Sequence, residues 1–491
     1  MTAVAPSPLV LRWQGLLAQQ RVGWLGQHLE LIAGLMLCAL MAWLPQISRG
    51  GLTLLITASG LLWVLWALRT RPGSLGAING WLLAVLAVAV VATGFSPVPL
   101  AAFKGLMKLV SYLGVYALMH QLLTRAPIWW DRITAALLAG SLLTSVIGLR
   151  QLYGDAGGAL ARWSDANSVA RGTVRIYSSL DNPNLLGGYL LPILPLAIVA
   201  LLRWPGWPRR LFALVAFVLG AIALVLTYSR GAWMGMVMAL AVLGLSLALR
   251  FTRSWPPLWR RLLPIVLLGG GALALVVLIT QVEPLRVRVM SLVAGREDSS
   301  NNFRMNVWAS VMDMIRDRPW IGIGPGNTIF NLIYPLYQQP KFNALSAYSI
   351  PLEWLVEAGV PGLITGAGLF LTAMGTGLRQ WRSNAFLALP SLAAVAAFAG
   401  LAIQGLTDTI FFRPEVQLIA LFSLATLAAS ASVGAAPAGA AEASPSDPRS
   451  WDPLSLDPRF QEPRALDPRS QEPRSLDPRS QDPRSLDPGR P

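Results

Sequence analysis

Apolar runs of about 20 residues recur along this chain, and they constrain its fold more than any other feature. Each run is long enough to cross about 30 Å of hydrocarbon as a helix. Because the bilayer interior offers no water to satisfy backbone N–H and C=O groups, spanning runs of this kind are expected to be helical. The predicted spans are 29–47, 50–68, 77–95, 99–123, 133–152, 183–202, 211–228, 231–249, 262–280, 350–377, 385–406 and 415–432.

The chain is therefore predicted to be an all-α, polytopic integral membrane protein with about twelve transmembrane helices. Its charged content of 13% supports this, because soluble domains carry about 25%. The boundary at Arg230 leaves a second possibility open, in which the seventh and eighth runs form one long kinked region.

Arginine distribution predicts the orientation. With a cytoplasmic N-terminus, fifteen arginines fall in the cytoplasmic segments and six in the short outer loops. Short cytoplasmic loops are enriched in Lys and Arg, so both termini are predicted to be cytoplasmic. The net charge of +15 follows from this bias, and no nucleic-acid-binding motif is recognised, so no nucleic-acid partner is expected.

Metal and cofactor sites are not expected. The chain has one cysteine, Cys38, and two histidines, His28 and His120, far apart in sequence. No cluster of His, Cys and carboxylate residues has metal-ligand spacing.

Three regions are predicted from these patterns. Residues 1–28 form a cytoplasmic N-terminal segment, residues 29–432 the transmembrane domain, and residues 433–491 a disordered cytoplasmic tail. The tail repeats Pro every fifth residue, as in ALDPRSQEPRSLDPRSQDPRSLDPGRP, which excludes a helix and leaves little to bury. It either tethers a partner or is a tolerated low-complexity extension.

The longest outer loop, 281–348, is predicted to be partly helical and periplasmic. Phe303, Val307, Val311 and Ile315 recur at helical spacing, so this segment is expected to form an amphipathic helix. Residues 299–302 offer N-cap oxygens, and a proline at 319 ends the helix. Its apolar stripe either lies on the membrane surface or closes over a cavity. GIGPGN, at 322–327, lacks nucleotide-loop spacing and is predicted to be a tight turn.

Two arginines point to an anion site. Arg230 interrupts an apolar stretch, and Arg304 opens the amphipathic segment on the same side of the membrane. An arginine at membrane depth needs a counter-charge or a wet cavity. Guanidinium groups grip phosphate with parallel hydrogen bonds, whereas the alternative is that Arg230 snorkels to the interface.

Four other charged residues are candidates for function. Glu353 and Glu357 lie one helical turn apart, and they serve either acid/base chemistry or ion pairs with arginines. Lys104 and Lys108 also lie four residues apart. They either line a cavity near mid-membrane or lie in a segment at the interface.

The motifs together resemble a known family. TYSRGAW, SLDNPN (179–184), the Arg304 helix ending in DRPWIGIGPGN, and PLEWLVEAGVPG are similar, in order and spacing, to the O-antigen ligase/polymerase-related membrane family. The resemblance spans roughly residues 170–370. The YSIPLEWLVEAG wording resembles the cyanobacterial IctB branch, named for inorganic carbon (bicarbonate) transport.

The resemblance implies a function at the outer face of a bacterial inner membrane. Ligases of this family transfer a glycan from an undecaprenyl-diphosphate carrier to an acceptor, without metal and with inversion. By this resemblance Arg230 and Arg304 hold the lipid diphosphate. Asn184, in the SLDNPN motif, is a further candidate substrate-binding residue.

One departure from the family pattern concerns the catalytic base. Where a ligase has a His-Asn pair, nine residues before the glutamate of Glu-x-Gly, this chain has Tyr348 and Ser349. Tyrosine has an ordinary pKa of about 10 and is a poor base at neutral pH. The catalytic candidates are therefore Tyr348, Glu353 and Glu357.

Three functions remain open from sequence. The first is glycan transfer from a polyprenyl-diphosphate donor. The second is transport of a small anion, with bicarbonate as the IctB-type candidate and Lys104 and Lys108 in the conduction path. The third is a non-catalytic membrane partner that acts through its tail.

Overall fold

A computed structural model describes residues 28–69, 76–152, 175–281, 283–290 and 295–434. Within these ranges the chain is built from α-helices, short 3-10 helices and connecting loops, without a strand. The predicted N-terminal segment up to residue 27, loop residues 153–174 and the tail from residue 435 lie outside the described residues.

Fifteen α-helices occur in the described ranges. They are α1 (Leu29–Trp43), α2 (Arg49–Arg69), α3 (Ala77–Gly94), α4 (Pro99–Arg125), α5 (Trp129–Arg150), α6 (Pro183–Arg203), α7 (Trp207–Leu226), α8 (Arg230–Phe251), α9 (Pro257–Gln281), α10 (Glu283–Met290), α11 (Ser299–Asp317), α12 (Asn327–Ile333), α13 (Ile350–Arg379), α14 (Ala388–Gly405) and α15 (Pro414–Gly434).

Each predicted apolar run coincides with one helix, namely α1 to α9 and α13 to α15. Ten of these helices, within the described part of the chain, are both long and apolar enough to cross a membrane. The two others are α1, which has only 15 residues, and α9. The prediction of an all-helical, polytopic membrane protein is confirmed.

The chain breaks just before Arg230. Helix α7 ends at Leu226, and Tyr228 adopts a positive φ of 48°. Ser229 then caps α8, because its side chain accepts a hydrogen bond from the N–H of Ala232. The seventh and eighth runs are therefore separate helices, and Arg230 is the first residue of α8.

Helices α6, α14 and α15 form the buried centre of the bundle, whereas α2 and α3 expose most of their surface. Helix α8 packs closely against α14. A Cβ atom added to Gly235 would lie 2.6 Å from the carbonyl oxygen of Gly400, so the two backbones approach at small residues, as membrane helices often do. This antiparallel packing brings the start of α8 to the end of α14.

Helix α11 buries its apolar stripe. Val307, Val311 and Met314 are fully or almost fully buried, in a cluster that also contains Ala102 of α4 and Val356 of α13. The interpretation in which this stripe lies on a membrane surface is therefore wrong, because the stripe packs into a core of its own.

The cap of α11 also differs from the prediction. The N-cap is Asp298, whose Oδ1 accepts a hydrogen bond of 3.0 Å from the N–H of Asn301. The predicted cap residues, 299–302, instead lie within the first turn. A carboxylate at this position also complements the positive end of the helix dipole.

Helix α13 is broken at Gly359, which has φ 64° and ψ −162°. The N–H of Val360 donates to the carbonyl of Pro319 at 2.8 Å, and Pro361 has no N–H to donate. Two helix carbonyls, of Val356 and Glu357, therefore lose their usual partners. They accept instead from the backbone N–H groups of residues 323 and 324, at 2.8 and 2.9 Å.

The GIGPGN segment thus lies along the break in α13. Gly322, Gly324 and Gly326 all have positive φ, which agrees with the predicted turn. Its other side faces α4, since a Cβ atom on Gly105 would lie 1.8 Å from the carbonyl oxygen of Pro325. Residues 319–326 are therefore a fixed part of the bundle, held between α4 and α13.

Candidate anion-binding site

A cavity of about 300 Å³ opens where four parts of the bundle meet. These are the start of α6, the turn between α7 and α8, the start of α11, and the connection from α14 to α15. We call it the arginine cavity, and its lining residues are Arg175, Asn184, Tyr228, Ser229, Arg230, Gly231, Met234, Gly295, Ser300, Asn301, Arg304, Met305, Trp308, Thr407 and Asp408.

Arg230 joins the bundle to the long connection between α9 and α13. Its Nη2 lies 2.9 Å from Oδ1 of Asp298, and the two side chains are only 10% and 2% exposed. The same carboxylate oxygen caps α11. A counter-charge therefore satisfies Arg230, as expected for a buried arginine, and this counter-charge is tied to the first turn of α11.

Arg304 lies one turn further along α11. Its Nη1 donates to Ser300 Oγ at 2.8 Å, and its buried Nε has no hydrogen-bond partner among the described residues. Burial lowers the pKa of Arg304, while Asp408 raises it and Arg230 lowers it further. The cavity thus contains a guanidinium group with a spare donor and a neighbouring positive charge.

A third arginine starts a chain of hydrogen bonds across the cavity. Arg175 donates from Nε to the carbonyl of Thr227 at 2.9 Å and from Nη2 to Oδ1 of Asn184 at 2.7 Å. Nδ2 of Asn184 then donates to Oδ2 of Asp408 at 3.3 Å. Because Oδ1 of Asn184 accepts from Arg175, the amide must turn its NH₂ group towards Asp408.

Asp408 is the only carboxylate among the described residues that lines the arginine cavity. Its Oδ1 accepts the backbone N–H of Thr409 at 2.8 Å. Burial raises the pKa of Asp408, although Arg304 and the hydrogen bonds from Thr409 and Asn184 act in the opposite direction. Three arginines and one aspartate therefore line the cavity, which leaves it positively charged.

Tyr348 lies close to the cavity but is not one of its lining residues. It adopts a positive φ of 50°, and its ring packs edge-on against Phe303, with 5.4 Å between centroids. Burial raises the pKa of Tyr348, and Asp408 raises it further, while Arg304 lowers it. The tyrosinate form of Tyr348 is therefore rarer at neutral pH than that of an ordinary tyrosine, which makes this residue a poor candidate for the base.

Glu353 and Glu357 also lie outside the arginine cavity. Glu353 accepts the backbone N–H of Ala347 at 2.7 Å, and Glu357 accepts that of Gly326 at 2.7 Å. Neither forms a salt bridge with an arginine in the described part of the chain, so the described residues do not support the ion-pair interpretation. Both carboxylates instead hold loop backbone against the first turns of α13.

The two lysines of α4 do not reach the arginine cavity either. Nζ of Lys108 donates to the carbonyl of Phe412 at 3.2 Å and lies 5.6 Å from the ring centroid of Tyr112. Lys104 is exposed. Of the site residues predicted from sequence, the structure therefore brings together Arg230, Arg304 and Asn184, and leaves the others outside.

Sequence reasoning missed Arg175, Asp298 and Asp408 as site residues. Asp298 carried a usable signal, because aspartate is a preferred N-cap and directly precedes the amphipathic segment. Asp408 was visible only as an acid in a short loop between two spans. In the described ranges no group of three or more His, Cys, Asp or Glu side chains is placed to hold a metal ion.

Comparison with known families adds an independent observation. Residues 215–367 match the family model of the O-antigen ligase, Wzy_C. The matched range includes Arg230, Arg304 and the broken start of α13. No curated protein matches the chain.

Proposed function

We propose that the O-antigen ligase family domain at residues 215–367 binds a polyprenyl-diphosphate-linked glycan and transfers the glycan to an acceptor. The arginine cavity holds the diphosphate. The reaction takes place at the periplasmic face of a bacterial inner membrane, with both chain termini in the cytoplasm.

The environment of the Arg304 guanidinium supports this proposal most directly. The side chain of Arg304 is half-buried, has no salt bridge among the described residues, and keeps a buried Nε donor without a hydrogen-bond partner. A buried charge of this kind is unfavourable unless a counter-ion completes it. A diphosphate supplies two or more negative charges and oxygen acceptors in the geometry that guanidinium groups prefer.

Arg230 and Arg175 add to the positively charged lining of the arginine cavity. Arg230 is paired with Asp298, and Arg175 is fixed by Thr227 and Asn184. When the glycosidic bond breaks, negative charge grows on the leaving diphosphate oxygen. Fixed positive groups aimed at that oxygen stabilise the transition state more than the ground state.

The three catalytic candidates from sequence have different places in this proposal. Glu353 and Glu357 hold the loop at residues 326 and 347, and thereby position α11 and the wall of the cavity. Tyr348 packs against Phe303 and lies near enough to Arg304 for the guanidinium to lower its pKa. We assign all three to positioning, because none of them lines the cavity.

Transport of bicarbonate, as in the IctB branch, is the competing function. Arginines that suit a diphosphate also suit a small anion. However, Lys104 and Lys108, the residues expected in a conduction path, lie outside the arginine cavity. A cavity of about 300 Å³ is also larger than bicarbonate requires, so glycan transfer is favoured.

The test is the binding of undecaprenyl diphosphate to the full chain in lipid nanodiscs. We expect Arg304→Ala and Arg230→Ala each to weaken binding at least tenfold, because each removes a charge-assisted contact. Undecaprenol, which has no phosphate, is expected to bind much more weakly. Donor turnover is then measured with lipid-linked glycans extracted from bacterial membranes.

Arg316→Ala is the matched control. Arg316 lies on the same helix, but its side chain is 72% exposed and pairs with the exposed Asp313, so its loss is expected to leave binding unchanged. Equal binding by wild type and Arg304→Ala would contradict the proposal. Bicarbonate uptake into proteoliposomes that needs Arg230, without any donor turnover, would favour transport instead.

A further inference from the structure

We propose that Asp408 accepts the proton of the acceptor hydroxyl during glycan transfer. This inference rests on the proposed function and assigns the base that the chain lacks at position 348. It stands on the position of the carboxylate in the arginine cavity and on the hydrogen bonds that orient it.

The proton balance of the reaction requires such a group. The acceptor oxygen forms a bond to the anomeric carbon, and the bond from that carbon to the diphosphate oxygen breaks. The diphosphate leaves with the electron pair of the broken bond. The hydroxyl proton must leave the acceptor oxygen as the new bond forms, and a positioned base speeds this step by about 10²- to 10⁴-fold.

The lining of the arginine cavity leaves one candidate within the described residues. It includes no histidine, and Asp408 is its only carboxylate. Asp298 is not one of the lining residues; it pairs with Arg230 and caps α11. Glu353 and Glu357 lie outside the cavity, and each accepts a hydrogen bond from a loop N–H group.

The hydrogen bonds around Asp408 fix its orientation. The N–H of Thr409 holds Oδ1, and the NH₂ group of Asn184 holds Oδ2. Asn184 is itself fixed by Arg175, whose Nε is anchored on the carbonyl of Thr227. The two carboxylate oxygens offer about four lone-pair sites in all. The contacts from Thr409, Asn184 and the backbone N–H of Ile410 use three of them, so one site remains for a proton. This arrangement resembles a base oriented by a second polar group.

The groups that face Asp408 set its basicity. Arg304 approaches from α11, Tyr348 from the segment before α13, and Arg175 acts through Asn184. Burial raises the pKa of Asp408, and Arg304 lowers it. A raised pKa makes the carboxylate a stronger base once it is ionised. Turnover is then lost as the pH falls through that raised pKa.

The experiment compares Asp408→Asn, Asp408→Glu and wild type in nanodiscs, with lipid-linked glycans from bacterial membranes as donor. We expect Asp408→Asn to lower kcat at least 100-fold, whereas its affinity for undecaprenyl diphosphate changes less than threefold. Asp408→Glu keeps the carboxylate and is expected to recover part of kcat. Asp313→Asn, an exposed acid on α11, is the matched control and is expected to keep full turnover.

The pH profile supplies a readout that does not depend on the variants. Wild-type kcat is expected to fall on the acid side, with a midpoint above the ordinary aspartate pKa of about 4. If Asp408→Asn does not fold, as judged by thermal melting, the wild-type profile still decides. Wild-type kcat must fall towards acid pH. A kcat that stays constant from about pH 4 to 7 overturns the inference.

Two failures are distinguishable. Wild type that neither binds undecaprenyl diphosphate nor turns over any donor overturns the proposed function and this inference together. Wild type that turns over donor, with Asp408→Asn retaining more than a third of kcat, overturns only the role of Asp408. An equal loss of kcat and of undecaprenyl diphosphate affinity in Asp408→Asn also overturns it, because that result indicates a structural role.

Discussion

Single charged residues carry most of the functional information in this chain. Arg230 was identifiable from sequence, because a permanent charge in an apolar stretch needs a partner or water. Its partner was not identifiable, since Asp298 lies 68 residues away. The contact between Asn184 and Asp408 joins residues 224 positions apart. Such pairings depend on helix packing, which a local pattern does not contain.

The ion pair between Arg230 and Asp298 predicts a competition with ligand. In Asp298→Asn the cap of α11 is kept, because asparagine is an equally good N-cap, but the counter-charge of Arg230 is lost. We expect a lower melting temperature without ligand, and several-fold tighter binding of inorganic pyrophosphate or undecaprenyl diphosphate. Thermal melting with and without pyrophosphate measures both effects. Asp313→Asn is the control, and an unchanged affinity in Asp298→Asn would refute the competition.

Tyr348 provides a second prediction at this scale. Burial and Asp408 raise the pKa of its phenol, so tyrosinate is even rarer at neutral pH than in water. Tyr348→Phe keeps the ring contact with Phe303. We therefore expect kcat to stay within about threefold of wild type, on the premise that a phenol of raised pKa supplies little base catalysis. A loss of 100-fold would make Tyr348 the base.

At the scale of elements, the sequence was most informative where hydropathy alone decides. All twelve apolar runs became helices, and the amphipathic segment at 302–317 became most of α11. The break inside α13 was not foreseen, because it depends on residues 319–324 packing against it. The N-cap of α11 was misplaced because four polar residues in a row, 299–302, all offer suitable oxygens.

The broken start of α13 predicts a strong difference between two glycines of one helix. Gly359 has φ 64° and ψ −162°, a conformation almost restricted to glycine, and an added Cβ would lie 2.4 Å from the backbone carbon of Trp320. We expect Gly359→Ala to destabilise the protein by at least about 1–3 kcal/mol. Gly375→Ala, where nothing lies within 4 Å, is expected to be neutral or stabilising.

Thermal melting in detergent compares the two variants. A melting temperature of Gly359→Ala equal to that of Gly375→Ala would contradict the structural role of this break. Loss of undecaprenyl diphosphate binding in Gly359→Ala alone would further link the break to the geometry of the arginine cavity.

For the whole molecule, the arginine bias predicts on which side of the membrane the cavity opens. In a Cys38→Ala background, Asp313→Cys on α11 is expected to react with a membrane-impermeant maleimide from the periplasmic side. Arg209→Cys, at the opposite end of the bundle, is expected to react only after the membrane is permeabilised. Both positions are exposed in the folded protein, and the reverse labelling pattern would invert the predicted topology.

The backbone hydrogen bonds between residues 319–326 and α13 restrict how the cavity can admit a bulky substrate. Residues 323 and 324 satisfy the carbonyls of Val356 and Glu357, and Pro319 receives the N–H of Val360. Pulling this segment away would break these three main-chain hydrogen bonds at once and leave their donors and acceptors without partners. Residues 319–326 are therefore expected to stay in place as a fixed wall and not to open as a gate. If the cavity takes the proposed lipid-linked glycan, we expect the sugar chain to enter on the opposite side, where the ion pair between Arg230 and Asp298 joins the start of α11 to α8.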